Sequence, residues 1–322
     1  MTRVIGHGAV RAEIAQAAAS GRLHHGWILA GPPGIGKASL ARDIALGLLA
    51  EQEALGPVDE GHPAARLFRA GTHPDYAELS RLEKDNGDLA RNIAIDQVRG
   101  LARLLSSAPS MSRRRVILID SADDLERNAA NALLKNLEEP PKDVVFLLVS
   151  HAPARLLPTI RSRCRLLRLS ALDDAQMEQA LAQAMPDMPA EERSTLIRVG
   201  EGSPGKALSL SGLGVTEMLE ALRRIAATGD ADNRERLALA KALAPRTARA
   251  RLEAFLVQAP AFIAGQARYR SGPALAQAIQ SWEQARDLAS GAILLSLDPS
   301  ATVFELCSHV ASLADQDSGT QI

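Results

Sequence analysis

The chain has 322 residues, enough for two or three domains that each bury a core. Its composition, 46% hydrophobic and 23% charged, is that of a globular protein, and a net charge of −1 excludes a global basic field for nucleic acid. Aromatic residues at 3% argue against a base-stacking platform, and two cysteines, Cys164 and Cys307, exclude a disulfide framework and a four-cysteine zinc site.

The apolar runs are short. The first 16 residues lack an apolar core of signal-peptide length, and the longest apolar runs, such as Val144–Val149, are the size of strands. We therefore expect a cytoplasmic protein with no membrane association, which also suits the sparse cysteines.

Residues 27 to 170 predict alternating strands and helices. The apolar run Trp27–Leu29 is followed by a glycine-rich segment and then by a helical pattern. The continuous apolar runs Val116–Ile119 and Val144–Val149 are typical of strands buried on both faces of a parallel sheet. Between them, residues Asn128–Glu139 predict a helix that Pro140 stops. The pattern predicts an α/β fold with a parallel sheet.

The rest of the chain differs in pattern. Residues 50 to 92 predict an insertion with one short strand at 76–79, and no strand is predicted beyond Ser170. Helices are predicted at 173–184, 189–199 and 204–210, and a helical region runs from 215 to 314 with breaks at Gly229, Pro245, Gly272 and Pro299. The tail from 315 to 322 is expected to fray.

Residues Gly31–Lys37 match the P-loop pattern G-x-x-x-x-G-K, between a predicted strand and a predicted helix. Backbone N–H groups of such a loop surround phosphate oxygens, and the lysine adds a positive charge. The predicted nucleotide-binding residues here are Gly31, Gly34, Ile35, Gly36, Lys37 and Ala38. The alternative is a glycine-rich turn without function. The motif normally ends in Ser or Thr, whose hydroxyl ligates Mg²⁺, and Ala38 has no hydroxyl.

Asp120 ends the predicted strand 116–119, which is the Walker B position. Its carboxylate would hold Mg²⁺ directly or through water, and the alternative is a structural strand-end carboxylate. Hydrolytic relatives place a glutamate next to activate the attacking water, whereas Ser121 is not a base at neutral pH.

Four further segments resemble the clamp-loader branch of the AAA+ ATPases: Gly21–Trp27, Ile93–Arg99, Ala130–Pro141 and Leu157–Cys164. The resemblance covers about residues 4 to 210. It implies a RecA-like AAA+ P-loop domain over 1–170, a small helical lid over 171–212 and an all-α C-terminal collar for oligomerisation over 213–322.

The resemblance also implies roles for single residues. Ser150 lies where the sensor 1 residue falls, and Gly205 lies where motor subunits carry the sensor 2 arginine. Ala38, Ser121 and Gly205 are three departures that each remove part of hydrolysis, so we expect a stator without intrinsic catalysis. Arg163, within Ser-Arg-Cys, would be an arginine finger that acts in trans, and the alternative is a surface ion pair.

The same resemblance implies ligands and partners. We expect ATP or ADP to bind weakly or structurally, with Mg²⁺ only alongside nucleotide, and no zinc because residues 51–74 contain no cysteine. The expected partners are the gamma/tau and delta subunits of a bacterial DNA polymerase III clamp loader, and through them the sliding clamp and primer-template DNA. Two alternatives stay open: a working ATPase motor of the gamma/tau type, and an unrelated P-loop regulator.

Overall fold

The computed structural model describes residues 4–85 and 87–314, which form two compact units. The first comprises the described residues of Met1–Pro186 together with Gly200–Lys206, and the second comprises Asp187–Val199 with the described residues of Ala207–Ile322. Compactness alone does not test the predicted division into nucleotide-binding, lid and collar domains, which therefore stays a prediction.

A five-stranded, fully parallel sheet forms the centre of the first unit, in the order β2-β3-β4-β1-β5. The strands are β1 (Gly26–Ala30), β2 (Tyr76–Ser80), β3 (Arg115–Asp120), β4 (Val144–Ser150) and β5 (Arg165–Arg168). The predicted α/β class with a parallel sheet is confirmed, and so is the short strand predicted inside the insertion.

Helices surround this sheet and continue to the end of the described chain. Those up to residue 210 are α1 (Gly8–Ala19), α2 (Lys37–Leu49), α3 (Pro63–Arg69), α4 (Ile95–Leu105), α5 (Arg127–Glu138), α6 (Pro158–Arg161), α7 (Asp174–Ala184), α8 (Ala190–Gly200) and α9 (Pro204–Leu210). The predicted helices at 128–139, 173–184, 189–199 and 204–210 are confirmed to within one residue at each end. The sequence analysis did not identify α1, α3 or α4.

The sheet is buried on both faces, which explains its continuous apolar strands. Alternate residues of β1 point to opposite sides: Trp27 and Leu29 join the cluster beneath α1 and α2, whereas Ile28 joins the cluster beneath α4 and α5. Burying each of these large apolar side chains contributes about 1.5–3 kcal/mol to the stability of the folded state. The two clusters hold the strands rigidly, so their ends are suited to position a site.

Because the strands are parallel, the carboxyl ends of β1, β3 and β4 meet at one edge of the sheet. Gly31 follows β1, Asp120 ends β3 and Ser150 ends β4. The backbone N–H of Gly31 donates to the Ser150 carbonyl over 3.2 Å, which brings the start of the P-loop directly against the end of β4.

The second unit is helical. After most of α8 it contains α10 (Val215–Thr228), α11 (Arg234–Leu243), α12 (Arg249–Ala267), α13 (Gly272–Leu294) and α14 (Pro299–Ala311). The breaks between these helices lie where glycine and proline predicted them. α12 packs against α13, and α11 packs against α14. The tail prediction for 315–322 lies outside the described residues. Among the helices of the described chain, none combines the length and the apolar character needed to cross a bilayer.

Candidate functional site

The P-loop has the backbone geometry of a phosphate cradle. Gly34 and Gly36 adopt left-handed φ angles of 75° and 93°, which glycine tolerates without strain. α2 begins at Lys37, so the positive end of its dipole lies at the loop. The ammonium of Lys37 is turned inward, where it donates to the Gly31 carbonyl over 2.8 Å and to the Pro32 carbonyl.

Burial dominates the electrostatics of this lysine. Lys37 is only 3% exposed, and the loss of hydration lowers its pKa to about 8 although the charges of Asp123 and Asp120 act to raise it. A bound anion would favour the charged form. The Lys37 ammonium is therefore sensitive to whether a phosphate lies in the loop.

Residues 203–206 pack directly on the outer side of the P-loop. The Ser203 hydroxyl donates to the Pro33 carbonyl over 3.0 Å, and the Gly205 N–H donates to the Gly34 carbonyl over 2.8 Å. A Cβ at Gly205 would lie 2.9 Å from the Gly34 Cα. This close approach of two backbones leaves no room for a side chain at position 205. The neighbouring Lys206 ammonium donates to Glu201 over 2.7 Å.

Three other residues of the predicted nucleotide-binding set serve packing. Ile35 is buried in the core, and its carbonyl accepts a 2.8 Å hydrogen bond from Nε2 of His7. A Cβ at Gly31 would lie 2.4 Å from the Leu169 carbonyl oxygen, so the chain passes there without room for a side chain. Ala38 packs against the core cluster beneath α1 and α2 and offers no oxygen to a cation.

Asp120, the predicted Walker B carboxylate, is held by an arginine. Nη2 of Arg42, on α2, lies 3.1 Å from Oδ2 of Asp120 and 2.5 Å from Oε1 of Glu78 on the next strand of the sheet. The Tyr76 hydroxyl donates to Glu78 over 2.7 Å. Burial raises the pKa of Asp120, the Arg42 charge opposes that effect, and Glu78 adds to it. Sequence reasoning missed Arg42, because nothing local links it to residues on β2 and β3.

Ser150, the predicted sensor 1 residue, is joined to the turn after β3. Ser150 is fully buried, and its hydroxyl donates to Oδ1 of Asp123 over 2.9 Å. The Ser121 hydroxyl and the N–H groups of His151 and Ala152 also donate to this carboxylate. Burial would raise the pKa of Asp123, but these donors hold it below its ordinary value. Asp123 was missed as a site residue, and its only signal was its place three residues after Asp120.

The arrangement fits a phosphate better than a magnesium ion. Backbone N–H groups of the P-loop and the Lys37 ammonium would hold phosphate oxygens, and the bound group would supply a phosphoanhydride. The residues do not supply the ligands that Mg²⁺ would need, because Ala38 lacks a hydroxyl and Asp120 is already paired with Arg42. Elsewhere among the described residues, no cluster of three or more His, Cys, Asp or Glu side chains could hold a metal ion.

Arg163 lies at the opposite end of the sheet, where the parallel strands β1 and β5 begin. It follows α6 and precedes β5, and its carbonyl oxygen would lie 3.4 Å from a Cβ at Gly26, where β1 begins. The P-loop follows the opposite end of β1. A five-residue strand spans about 17 Å, so Arg163 is well separated from the P-loop of its own chain. The structure thus brings Gly31–Lys37, Asp120 and Ser150 together and leaves Arg163 apart.

The guanidinium of Arg163 makes contacts within its own chain. Nη1 donates to the Thr159 carbonyl over 3.0 Å and lies 3.3 Å from the Ser162 hydroxyl, and Nη2 lies 2.9 Å from Oε1 of Glu138. The side chain remains 34% exposed. The adjacent Cys164 packs against the core cluster beneath α4 and α5, and burial raises the pKa of this thiol to about 12.

Comparison with known proteins shows one family. The family model described as DNA polymerase III, delta subunit, matches residues 6–173. The DNA polymerase III subunit delta' of Pseudomonas aeruginosa is 42% identical over 193 residues, which are 60% of this chain and 57% of that protein. The delta' subunit of Escherichia coli is 35% identical over 192 residues, 59% of this chain and 55% of that protein.

Other matches are more distant or more partial. The tau subunit of Escherichia coli is 35% identical over 212 residues, 65% of this chain but 32% of that protein. The alignment with a solved gamma subunit-related protein of Thermotoga maritima covers 92% of this chain and 98% of that protein at 15% identity, with a TM-score of 0.43. The chain matches just over half the length of its delta' relatives.

Proposed function

Because the chain belongs to the family described as DNA polymerase III, delta subunit, we propose that it is the delta-prime subunit of a bacterial clamp loader. In this proposal it is a stator: it assembles with gamma/tau and delta subunits in the cytoplasm and helps them to load the sliding clamp on primer-template DNA. Its own catalytic contribution is one residue, Arg163, which acts on the nucleotide of a neighbouring subunit.

The observation that carries the proposal is the position of Arg163. It lies where β5 begins, at the end of the sheet opposite its own P-loop, so it is too far away to act on a nucleotide there. This separation supports a role toward a neighbouring subunit. A guanidinium is always charged and presents a planar fork of donors, which suits the charge that develops on a transferring phosphoryl group. Arginine fingers supplied in trans contribute roughly 10³ to 10⁵ in rate in the best cases.

The P-loop in this proposal binds ATP or ADP weakly and does not hydrolyse it. The cradle and Lys37 support binding. The Arg42–Asp120 pair and Ala38 are unfavourable for the magnesium ion that phosphoryl transfer needs, and Ser121 donates its hydroxyl to Asp123.

A reconstituted loader with intact motor subunits tests the finger. Arg163→Ala should leave assembly intact but reduce clamp- and DNA-stimulated ATP turnover by at least about tenfold, and by up to the roughly 10³- to 10⁵-fold that such fingers contribute in the best cases. Arg168→Ala is the matched control, because this exposed arginine lies in β5 five residues further along, and it should have little effect. Unchanged turnover in the Arg163 variant, with assembly verified, would remove the proposed function.

The alternative, an autonomous motor of the gamma/tau type, makes a different prediction. The isolated motor would turn over ATP, and Lys37→Ala would abolish that turnover. We expect no turnover from the isolated chain above that of its Lys37→Ala variant. Steady ATP hydrolysis that depends on Lys37 would favour the motor.

A further inference from the structure

Arg163 is held within its own chain by a partner on α5. Its Nη2 lies 2.9 Å from Oε1 of Glu138, and Nη1 is engaged by the Thr159 carbonyl and the Ser162 hydroxyl. Both terminal nitrogens are thus in use. The Glu138 side chain is 48% exposed, so water can reach the pair and the contact can open without disturbing the core.

This carboxylate is incompatible with a phosphate on the same guanidinium. An anion approaching Nη2 would come within a few ångströms of Glu138, and like charges at that distance repel. To present its fork to a neighbour, Arg163 must first leave Glu138. The Thr159 carbonyl and the Ser162 hydroxyl are neutral and impose no such repulsion.

The position of Glu138 is unfavourable for its own helix. Glu138 is the last residue of α5, where the negative end of the helix dipole disfavours a carboxylate. The helix itself is firmly fixed, since Ala130, Leu133 and Leu137 are buried beneath the sheet. The carboxylate therefore gains from a cation at this point, and Arg163 supplies it.

We propose that Glu138 is a positioning residue. It holds the arginine finger in an ion pair within its own chain until a neighbouring subunit binds and its nucleotide competes for the guanidinium. This inference rests on the proposed function of Arg163. In the assembled loader, the Glu138 contact competes with the phosphate for the guanidinium. It keeps the unstimulated ATP turnover of the neighbour low.

The size of the effect follows from the exposure of the pair. Ion pairs as open as this one shift equilibria only modestly, by roughly two- to fivefold. Releasing the finger should therefore raise unstimulated turnover by roughly two- to fivefold, while turnover with clamp and DNA, where Arg163 is already engaged, should stay near that of the unaltered loader.

The test compares Glu138→Gln with Glu139→Gln in the reconstituted loader. Each variant removes one carboxylate at the C-terminus of α5, where Glu139 directly follows the last helical residue, but Glu139 makes no described ion pair with Arg163. We expect Glu138→Gln to raise unstimulated turnover with unchanged assembly and melting temperature, and Glu139→Gln to leave it unaltered. A destabilised fold cannot mimic this result, because it would lower turnover.

Two further arms make the test decisive. In an Arg163→Ala background, Glu138→Gln should have no additional effect, because the two residues act as a unit. If Arg163→Ala lowers stimulated turnover but Glu138→Gln behaves like Glu139→Gln, the positioning role of Glu138 is overturned and the proposed function stands. A Glu138→Gln variant that loses stimulated turnover would also overturn it. Unchanged turnover in Arg163→Ala would overturn both proposals.

Discussion

At the scale of single residues, Lys37 shows how surroundings change the chemistry of a motif. The P-loop pattern predicts a charged lysine, but the folded chain buries its ammonium among backbone carbonyls. Burial brings its pKa down to about 8, close to the pH at which proteins are studied.

Nucleotide binding should therefore depend on pH. A bound phosphate stabilises the charged form of Lys37 and raises its pKa. Above pH 8 the free protein must take up a proton to bind, so affinity for ADP should be level below about pH 8 and should then fall by up to about tenfold per pH unit. Binding titrations with ADP at several pH values between about 7 and 9.5 measure this dependence of the affinity. Lys37→Met should bind more weakly and without this dependence, whereas equal affinity at pH 7 and pH 9 would contradict the prediction.

Gly205 is the second residue whose role is set by its neighbours. Gly205→Ala would place a Cβ 2.9 Å from the Gly34 Cα, so we expect the first unit to lose about 1–3 kcal/mol of unfolding free energy. Gly100 lies in α4 with no atom within 4 Å of an added Cβ, and Gly100→Ala should stabilise by about 0.5–1 kcal/mol. Urea unfolding compares the two. Equal effects would show that the Gly205–Gly34 contact does not constrain the fold.

At the scale of elements, Asp75 joins three segments around β2 and β3. This buried carboxylate accepts hydrogen bonds from the N–H groups of Ser110, Met111 and Ser112 and lies 3.3 Å from the guanidinium of Arg115. Burial would raise the pKa of Asp75, but these partners hold it below its ordinary value. The turn before β3 is thereby fixed to the start of β2.

Asp75→Asn should destabilise the first unit by about 3–5 kcal/mol, because it leaves a buried guanidinium without its charge partner. The surface pair at Asp96 provides the control, and Asp96→Asn should cost less than about 0.5 kcal/mol. A lowered folded-state pKa means that Asp75 stabilises above its unfolded value and that this gain is lost as pH falls below about 4. The difference in unfolding free energy between the wild type and Asp75→Asn should accordingly narrow in acid. A constant gap would exclude the ionised carboxylate as its cause.

At the scale of the whole molecule, the second unit exposes apolar side chains beyond its own core. Val257 on α12 and Ile293, Leu294 and Leu295 at the end of α13 are exposed, and Leu294 is 85% so. Val257 and Ile293 line one surface depression, and Leu294 and Leu295 follow Ile293 directly in the chain. Large exposed apolar patches mark interaction sites. These residues belong to the region 213–322 that we propose as the oligomerisation collar.

Leu294→Glu should weaken assembly with the other loader subunits, because it places a charge on the proposed contact surface. We expect at least a tenfold loss of affinity, equivalent to about 1.4 kcal/mol, with little change in melting temperature. Gln284→Glu adds the same charge at an exposed position three helical turns earlier on α13 and is the control. Size-exclusion chromatography of the reconstituted complex would measure both variants. Full assembly of the Leu294 variant would show that this end of α13 lies outside the interface.

The sequence by itself determined the features that are encoded locally. Continuous apolar runs identified the buried strands β3 and β4, because strands covered on both faces need no polar alternation. Glycine and proline located the breaks among the C-terminal helices. The P-loop pattern and the Ser-Arg-Cys motif that contains Arg163 are visible in the sequence because each is contiguous in the chain, so no knowledge of distant neighbours was needed.

The tertiary structure alone decided which distant residues meet. Packing of α2 on the sheet brings Arg42 to Asp120, 78 residues away. The carboxylate that the motif predicted to hold a metal ion is thereby paired with a guanidinium. Packing of residues 203–206 on the P-loop requires the glycine at 205, and the end of α5 delivers Glu138 to Arg163. These contacts depend on backbone paths that cross between elements, and local periodicity carries no information about such crossings.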